Sequence, residues 1–498
     1  MLTYNGLDLK IEQLKSIFLV EENRIQKIEN NFIKKIFKTL KEDEIIDYFD
    51  SYYYFYYENN ELFFSKNLKF FKNNNFNLKE DDSSKYMMLE LGYIIPPYTL
   101  FKNTYRIFPN SKLKVKKNKD GLTFEIESLH WDLKNKTILN YDEVLIKFKE
   151  ILNENLKKIL KNKDVMFTLS GGADSSLILK LSKEYLKKDD FVVTVESPGQ
   201  KEELERSKNI CKELSINQIV INSDIEDYDR IRIEYIEKYL EPIFDPIAPL
   251  EYKIAKQNGD INRVIIEGQA ADSLYMGLPH NLAFNLYKKF RPYRKICILL
   301  SYVLKNISIS KDTKLGRFTN RLKKISNSFR AENEFEFILN ILGVHRIFSE
   351  RNSEYISRIE ETIKLLSKKY SGNHLIAYFF MYRILPAREM QKYRMLVDEG
   401  YKFEFPYIQG KALGFYVTLP ENFLTEKNQR KKIIFDLCKS ELKDINFKGR
   451  TTPFSIKLER EKMDFKGEGF LEKEIKKIED KNLISDNLKN YILFKKFL

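Results

Sequence analysis

Cysteine is scarce in this chain, with only Cys211, Cys297 and Cys438 among 498 residues. Their odd number and wide spacing point to neither a disulfide framework nor a thiolate zinc site, so a reducing, cytoplasmic setting is expected. Histidine is nearly as thin: His130, His280, His345 and His374 show no metal-ligand spacing and read as packing or surface residues. Long apolar runs are missing too. The longest, Cys297 to Leu304, is too short to span a bilayer and reads as a buried helix. The first eight residues have no basic segment leading into an apolar run, which argues against a secretory signal. No Gly-x-x-x-x-Gly-Lys-Ser/Thr sequence occurs, which excludes the usual nucleotide P-loop.

What remains is a globular composition. A hydrophobic content of 43% over this length allows a sizeable core and roughly two to three domains. The net charge of +14 could serve a polyanionic partner, but the lysines are interleaved with Asn, Ile and Glu. Only short runs such as Lys112 to Lys119 are concentrated, so a dedicated nucleic-acid surface is not expected.

The first fifty or so residues read as one or two charged amphipathic helices. The aromatic block Tyr52 to Tyr57 and Glu61 to Phe64 then suit paired strands turning at Asn59-Asn60. A hairpin is expected between Lys112 to Val115 and Leu122 to Ile126, across Asn118-Lys119-Asp120-Gly121. Tyr141 to Lys161 carries apolar residues at helical spacing. Strands over Val165 to Leu169, Phe191 to Val195, Gln218 to Ile221 and Arg263 to Ile266, separated by helices, predict a parallel sheet with crossovers. From Gly277 to Pro386 the pattern is helical, and Met390 and Met395 read as helix core.

The richest segment runs from Val165 through Ser170-Gly171-Gly172-Ala173-Asp174-Ser175-Ser176 to Leu177, an apolar strand entering a glycine turn and a helix. The two glycines let the backbone approach an anion, and the amides at the helix N-terminus point at it. Ser170, Ser175 and Ser176 add hydroxyl donors. Asp174 would repel phosphate directly, so its expected task is to hold magnesium. A second loop follows another apolar strand, from Val264 through Glu267-Gly268-Gln269-Ala270-Ala271-Asp272-Ser273 to Gly277. Ligands collect beyond the carboxyl ends of strands in a doubly wound sheet, so both loops are expected at one crevice, with Asp174 and Asp272 sharing one magnesium cluster.

These motifs resemble those of the asparagine synthetase family, which pairs a Ser-Gly-Gly-x-Asp-Ser pyrophosphate loop with a later Gly-Glu-Gly-Ala-Asp-Glu-Leu-Phe-Gly-Gly. Gly268 to Gly277 is a degraded match to the latter. Gly92 to Phe101, with Pro109 and the lone Trp131, resembles the family's bridge between domains, and Glu241 to Pro246 also fits. Arg394 and Pro406-Tyr407 lie in a segment similar to Asp-Arg-x-Ser-Met-Ala-x-x-x-Glu-x-Arg-x-Pro-Phe. The likeness covers residues from about 90 to 460.

The resemblance implies an α/β fold: a doubly wound parallel-sheet ATP pyrophosphatase domain with a large helical C-terminal part over residues 136–498. A small, degenerate α+β glutaminase-like domain over residues 1–135 would precede it. It further implies an ATP-dependent, AMP-forming carbon–nitrogen ligase using ATP and Mg2+. Ser170, Gly171, Gly172, Asp174, Ser175 and Ser176 would cradle pyrophosphate, with Leu169, Val195 and Gly268 in the nucleotide pocket and Asp174 and Asp272 on magnesium. The expected partners are a small-molecule or peptide carboxylate and an amine or ammonia donor, with a homodimer left open and no membrane.

Several positions depart from the family. Leu2 stands where its glutaminases carry a nucleophilic cysteine, so no glutaminase activity is expected. Gln269 stands where a Glu, or in β-lactam-forming relatives a Tyr, helps handle the proton of the attacking nitrogen, and a carboxamide cannot act as general base. Glu267 is one replacement. Ser273 replaces a Glu, Tyr393 replaces an Asp, and Lys402 and Glu404 reverse the expected charges. Arg450 lies nearest the place of the family's catalytic lysine, with Lys448 as the alternative. Two other readings stay open: a pyrophosphate-loop enzyme acting on an RNA base, and a noncatalytic nucleotide-binding relative.

Overall fold

The computed structural model describes residues 2–4, 9–27, 52–107, 111–128, 139–197, 200–224, 228–305, 331–342, 353–426, 429–447 and 485–498. Where the charge pattern near the N-terminus predicts helices, the chain instead forms β1 (Leu2–Tyr4), β2 (Leu9–Leu14), β3 (Ser16–Glu21) and β4 (Arg24–Lys27). The misleading signal has a physical origin. Buried Ile11, Leu14, Ile17 and Val20 recur every third residue, as on a helix face. Here a register shift between Ile11 and Leu14, where Gln13 takes φ 60°, brings those two into one core with Ile17, whereas Val20 packs in a different core.

The aromatic block forms β5 (Tyr54–Glu58) and β6 (Glu61–Ser65), joined through Asn59 and Asn60 at φ 51° and 62°. Left-handed residues at both turn positions match the twist of a tight hairpin, and Asn tolerates them. With β7 (Thr104–Arg106) they complete a sheet in the order β4-β3-β6-β5-β7. The hairpin of β8 (Ser111–Asn118) and β9 (Gly121–Ser128) joins a second sheet, β1-β2-β9-β8. Ile11, Phe55, Leu62, Phe64 and Phe124 fill the space between the two sheets.

The central sheet holds β10 (Asp164–Thr168), β11 (Phe191–Glu196), β12 (Asn217–Asn222), β13 (Arg263–Ile266) and β14 (Lys402–Glu404). All four pairings are parallel, in the order β12-β11-β10-β13-β14. The first four strands follow the sequence reading closely, whereas the three residues of β14 are too short a run to give a pattern. The chain winds from β10 outward to β12 and returns on the other side of β10 as β13. That reversal leaves a crevice beyond the carboxyl ends of β10 and β13.

Alternation along the strands splits the core. Val165, Phe167, Val264 and Ile266 pack on one face, and Met166, Val193 and Ile265 on the other, against Leu250 and Ile254 of the helix Ala248–Asn258. The long helix Tyr141–Leu160 starts with a capping box of Asn140 and Glu143. Met390 and Met395 are buried as expected. The apolar run around Cys297 corrects its reading: the helix Arg294–Lys305 leaves Ile296 and Leu299 58% and 66% exposed, three residues apart on one face. Among the described residues, no helix is long and apolar enough to cross a membrane.

A buried cation fastens the N-terminal sheets to the rest of the chain. Arg394 donates to Tyr54 Oη at 2.9 Å, lies 3.2 Å from Glu241 Oε2, and stacks on Tyr239 at 3.9 Å. Arg106 donates to the Pro386 carbonyl at 2.6 Å.

Candidate functional site

β10 runs out into Leu169, whose amide donates to the Val193 carbonyl at 2.9 Å and fixes where the chain leaves the sheet. Gly171 then takes φ +72°, and a side chain there would collide with the Glu203 carbonyl. Gly172 caps the helix Ala173–Ser182 without any side-chain cap, so the first amides of that helix are left for another acceptor. Ser176 closes back on the Gly172 carbonyl at 2.6 Å, while the Ser170 and Ser175 hydroxyls lie 3.2 Å apart at the turn. Tyr407 donates to the Asp174 carbonyl at 3.0 Å, bracing the loop from the segment after β14.

The second loop leaves β13 at Glu267 and packs on the first through Gly268. A Cβ at Gly268 would stand 3.0 Å from the Ser175 amide nitrogen and 3.3 Å from Asp174 Cβ. Ala270 and Met276 take φ 70° and 55°, bending the chain around the short helix Ala271–Leu274. Asp174 and Asp272 thereby reach the same cation: Lys431 Nζ lies 2.5 Å from Asp174 Oδ2 and 2.7 Å from Asp272 Oδ1. Burial opposes the charge on Lys431, but the two carboxylates outweigh it and raise its pKa. Asp174 Oδ1 is buried and has no hydrogen-bond partner among the described residues.

Between the loops and the helix Ala248–Asn258 lies a cleft of about 340 Å³. Its apolar lining is Leu169, Val193, Val195, Ile247, Leu250 and Ile254. Its polar lining includes Glu251, Glu267 and Asp272, together with Gln269 and Lys392. Lys392 Nζ contacts Glu251 Oε1 at 2.9 Å and Gln269 Oε1 at 3.2 Å. The Tyr393 hydroxyl donates to Glu267 Oε2, while Glu267 Oε1 is buried without a hydrogen-bond partner among the described residues. Burial, reinforced by the neighbouring charge of Glu251, pushes the Glu267 carboxyl up to about 8, against the pull of Lys392 and Tyr393. Gln269 Nε2 donates to Glu389 Oε2 at 3.0 Å, and the Ser273 hydroxyl stands 3.0 and 2.9 Å from the two Glu389 oxygens. Burial also raises the Glu389 carboxyl, with Ser273 opposing.

Of the residues predicted from sequence, Leu169, Ser170, Asp174, Ser175, Val195, Gly268, Gln269 and Asp272 line this cleft. Gly171, Gly172 and Ser176 shape the turn beneath it. Arg450 and Lys448 lie outside the described residues, as do Trp131 and Pro109. Lys402 is exposed at the start of β14, and the reversed charge at Glu404 pairs with Lys163 at 3.1 Å, away from the cleft. Lys431, Lys392, Glu251 and Glu389 were not singled out by sequence. Lys431 sits in the basic run Gln429-Arg430-Lys431-Lys432, whose pattern is that of a surface.

Asp174 and Asp272 suit a magnesium ion that takes its remaining oxygens from phosphates. Two carboxylates converge on one cation, and one buried oxygen of Asp174 has spare capacity. Among the described residues, no group of three or more Asp, Glu, His or Cys forms an all-protein cage.

Residues 147–484 match the family model described as asparagine synthase. The chain is 24% identical over 231 residues to the glutamine-hydrolyzing asparagine synthetase 1 of Bacillus subtilis, covering 45% of this chain and 34% of that protein. It is 24% identical over 299 residues to a Methanocaldococcus jannaschii protein assigned as a second glutamine-hydrolyzing asparagine synthetase, covering 58% and 53%. The matches thus span about a third to a half of these relatives. Among solved structures, the NH3-dependent NAD synthetase of Campylobacter jejuni aligns with 39% of this chain and 99% of its own, at 16% identity and a TM-score of 0.19. A likeness that low says nothing about the chemistry.

Proposed function

The chain belongs to the asparagine synthase family, and from that premise we propose that its cleft binds ATP and transfers AMP to a carboxylate, which an amine or ammonia then attacks. The observation that carries this reading is the meeting of two loops, 98 residues apart at their aspartates (272 minus 174), on one cation at the sheet's switch point. A triphosphate laid along the cleft would set its base against Leu169, Val195 and Leu250 and its phosphates on Ser170 to Ser176. Gly268 allows the close approach of the second loop that this requires. Asp174 and Asp272 would hold Mg2+; the chemistry that ion supplies is neutralisation of charge on the departing pyrophosphate.

For the second half of the reaction, Glu267 is the best-supported proton acceptor. It lies in the cleft, and burial raises its carboxyl to about 8, so at neutral pH only the ionised minority takes a proton and acceptance strengthens as pH rises. Gln269 fills the family's base position but serves as a link between Lys392 and Glu389. Arg450, with Lys448 as its alternative, is assigned to stabilising phosphate charge. Leu2 stands where the family's glutaminases carry their nucleophilic cysteine, so ammonia or an amine is proposed to arrive without glutamine hydrolysis.

The test is incubation of the protein with α-labelled ATP, magnesium and a pool of candidate acids. AMP and pyrophosphate should form, dependent on one acid and lost in Asp174→Asn. Release of ADP alone would contradict the mechanism.

A further inference from the structure

We propose that Lys431 is a built-in counter-cation that occupies the magnesium position of the nucleotide-free protein and yields it only when phosphates arrive to take its charge. The proposal rests on the reading that Asp174 and Asp272 hold magnesium beside ATP. Its geometry is direct: the ammonium already fills the space between Asp174 Oδ2 and Asp272 Oδ1, at 2.5 and 2.7 Å. A magnesium ion taking Asp174 Oδ2 and Asp272 Oδ1 would need the place the ammonium holds. Two cations cannot both hold those two oxygens, so the ammonium must leave them for the ion to use them.

The backbone of Lys431 is not free to withdraw. It stands at φ 51° at the head of the helix Lys432–Glu441, where its carbonyl accepts from Phe435 N at 2.9 Å. Next to it, Arg430 donates to the Gly277 carbonyl at 2.6 Å. What can move is the side chain, which passes directly over Gly277, where any added Cβ would meet its Cδ at 2.7 Å. A four-carbon stem carrying a compact charge can swing from carboxylate to phosphate while its Cα stays fixed.

The exchange has a thermodynamic consequence. A metal ion arriving alone must expel a largely buried ammonium from two carboxylates, with no anion to receive it. A metal arriving with a triphosphate brings the receiving anion. Metal and nucleotide should therefore bind as a coupled pair, each strengthening the other by the same factor. Removing the lysine charge should release the metal from that dependence.

The experiment uses the full chain, Mn2+ counted by electron paramagnetic resonance, and the non-cleavable α,β-methylene-ATP. Wild type should take up Mn2+ weakly alone and about tenfold or more tightly with the nucleotide. Lys431→Gln, and Lys431→Met as a second variant of similar length, should bind Mn2+ alone about tenfold more tightly than wild type. Lys431→Arg keeps the charge and should stay as closed to free Mn2+ as wild type. Far-UV circular dichroism establishes that each variant is folded. Unchanged Mn2+ affinity in folded Lys431→Gln and Lys431→Met would overturn the assignment of Lys431 while leaving the metal site standing. Nucleotide binding to wild type with no Mn2+ taken up at all would instead overturn the magnesium reading, and the Lys431 proposal with it.

Discussion

The Tyr393 hydroxyl stands 2.5 Å from Glu267 Oε2, joining the residue that replaces the family's aspartate to the carboxyl at the end of β13. The two substitutions make sense together. An aspartate at position 393 would have set another negative charge beside Glu267 and Glu251, whereas a phenol gives Glu267 a hydroxyl donor. The cleft wall is thus poised around a carboxyl that holds its proton far above the ordinary range.

That proton makes stability depend on pH. The Glu267 carboxyl is pushed from its ordinary 4.5 to about 8 in the folded chain, so between those values the native state binds the extra proton. Stability should fall as pH rises through this window, at up to about 1.4 kcal/mol per pH unit from this group. Glu267→Gln removes the titration and should flatten the decline. Urea unfolding at intervals from pH 5 to 9 measures it, and parallel curves for the two proteins would refute the placement of this pKa.

Gly268→Ala should separate nucleotide binding from folding. The added methyl would stand 3.0 Å from the Ser175 amide and press the two loops apart. Affinity for ATP, measured by calorimetry, should drop about tenfold or more, or about 1.4 kcal/mol. The site is at the edge of the cleft, so the unfolding cost should stay within the roughly 1–3 kcal/mol of local overpacking. Unaltered affinity would mean the loops do not grip nucleotide together.

Arg394→Met tests the fastening of the N-terminal sheets. It leaves Glu241, a buried carboxylate, without its cation and with the Tyr54 hydroxyl as donor at 2.8 Å, and it removes the donor to Tyr54 Oη. Breaking such a buried pair costs about 3–5 kcal/mol. The double variant Arg394→Met with Glu241→Gln should regain much of that loss in urea unfolding, because it leaves no unpaired charge.

Gln269→Ala should impair turnover more than binding. The carboxamide accepts from Lys392 and donates to Glu389, so its loss frees both from their present orientation. AMP formation is expected to fall about tenfold with ATP affinity little changed, a barrier increase of about 1.4 kcal/mol. An equal loss of binding and turnover would instead make Gln269 part of the nucleotide pocket.

Much of this was legible in the sequence, for reasons that are local. A strand of Val165, Met166 and Phe167 running into Ser170-Gly171-Gly172 states its own turn, because φ +72° at Gly171 and the uncapped helix behind it need only neighbouring residues. Asn59-Asn60 states its hairpin in the same way. That β10 to β13 form a parallel sheet followed from alternating strand and helix patterns, whereas their order in it came from the structure. The N-terminal strands are not legible, because the bulge at Gln13 and the burial of both faces of β3 produce a three-residue spacing that imitates a helix, effects of strand pairing and packing that no local pattern carries.

What only the tertiary structure decided is which charges meet. Asp174 and Lys431 are 257 residues apart, and Glu267 and Tyr393 are 126 apart. Nothing in the run Arg430-Lys431-Lys432 distinguishes the lysine that is buried between two aspartates from the one beside it. The sequence alone specified the phosphate-type turn and the sheet that presents it, since backbone geometry and hydrophobic period are set by near neighbours. The partners of each buried charge were fixed by the winding of β10 and β13 to one edge, because burial and Coulomb energy depend on distance in space and are blind to distance along the chain.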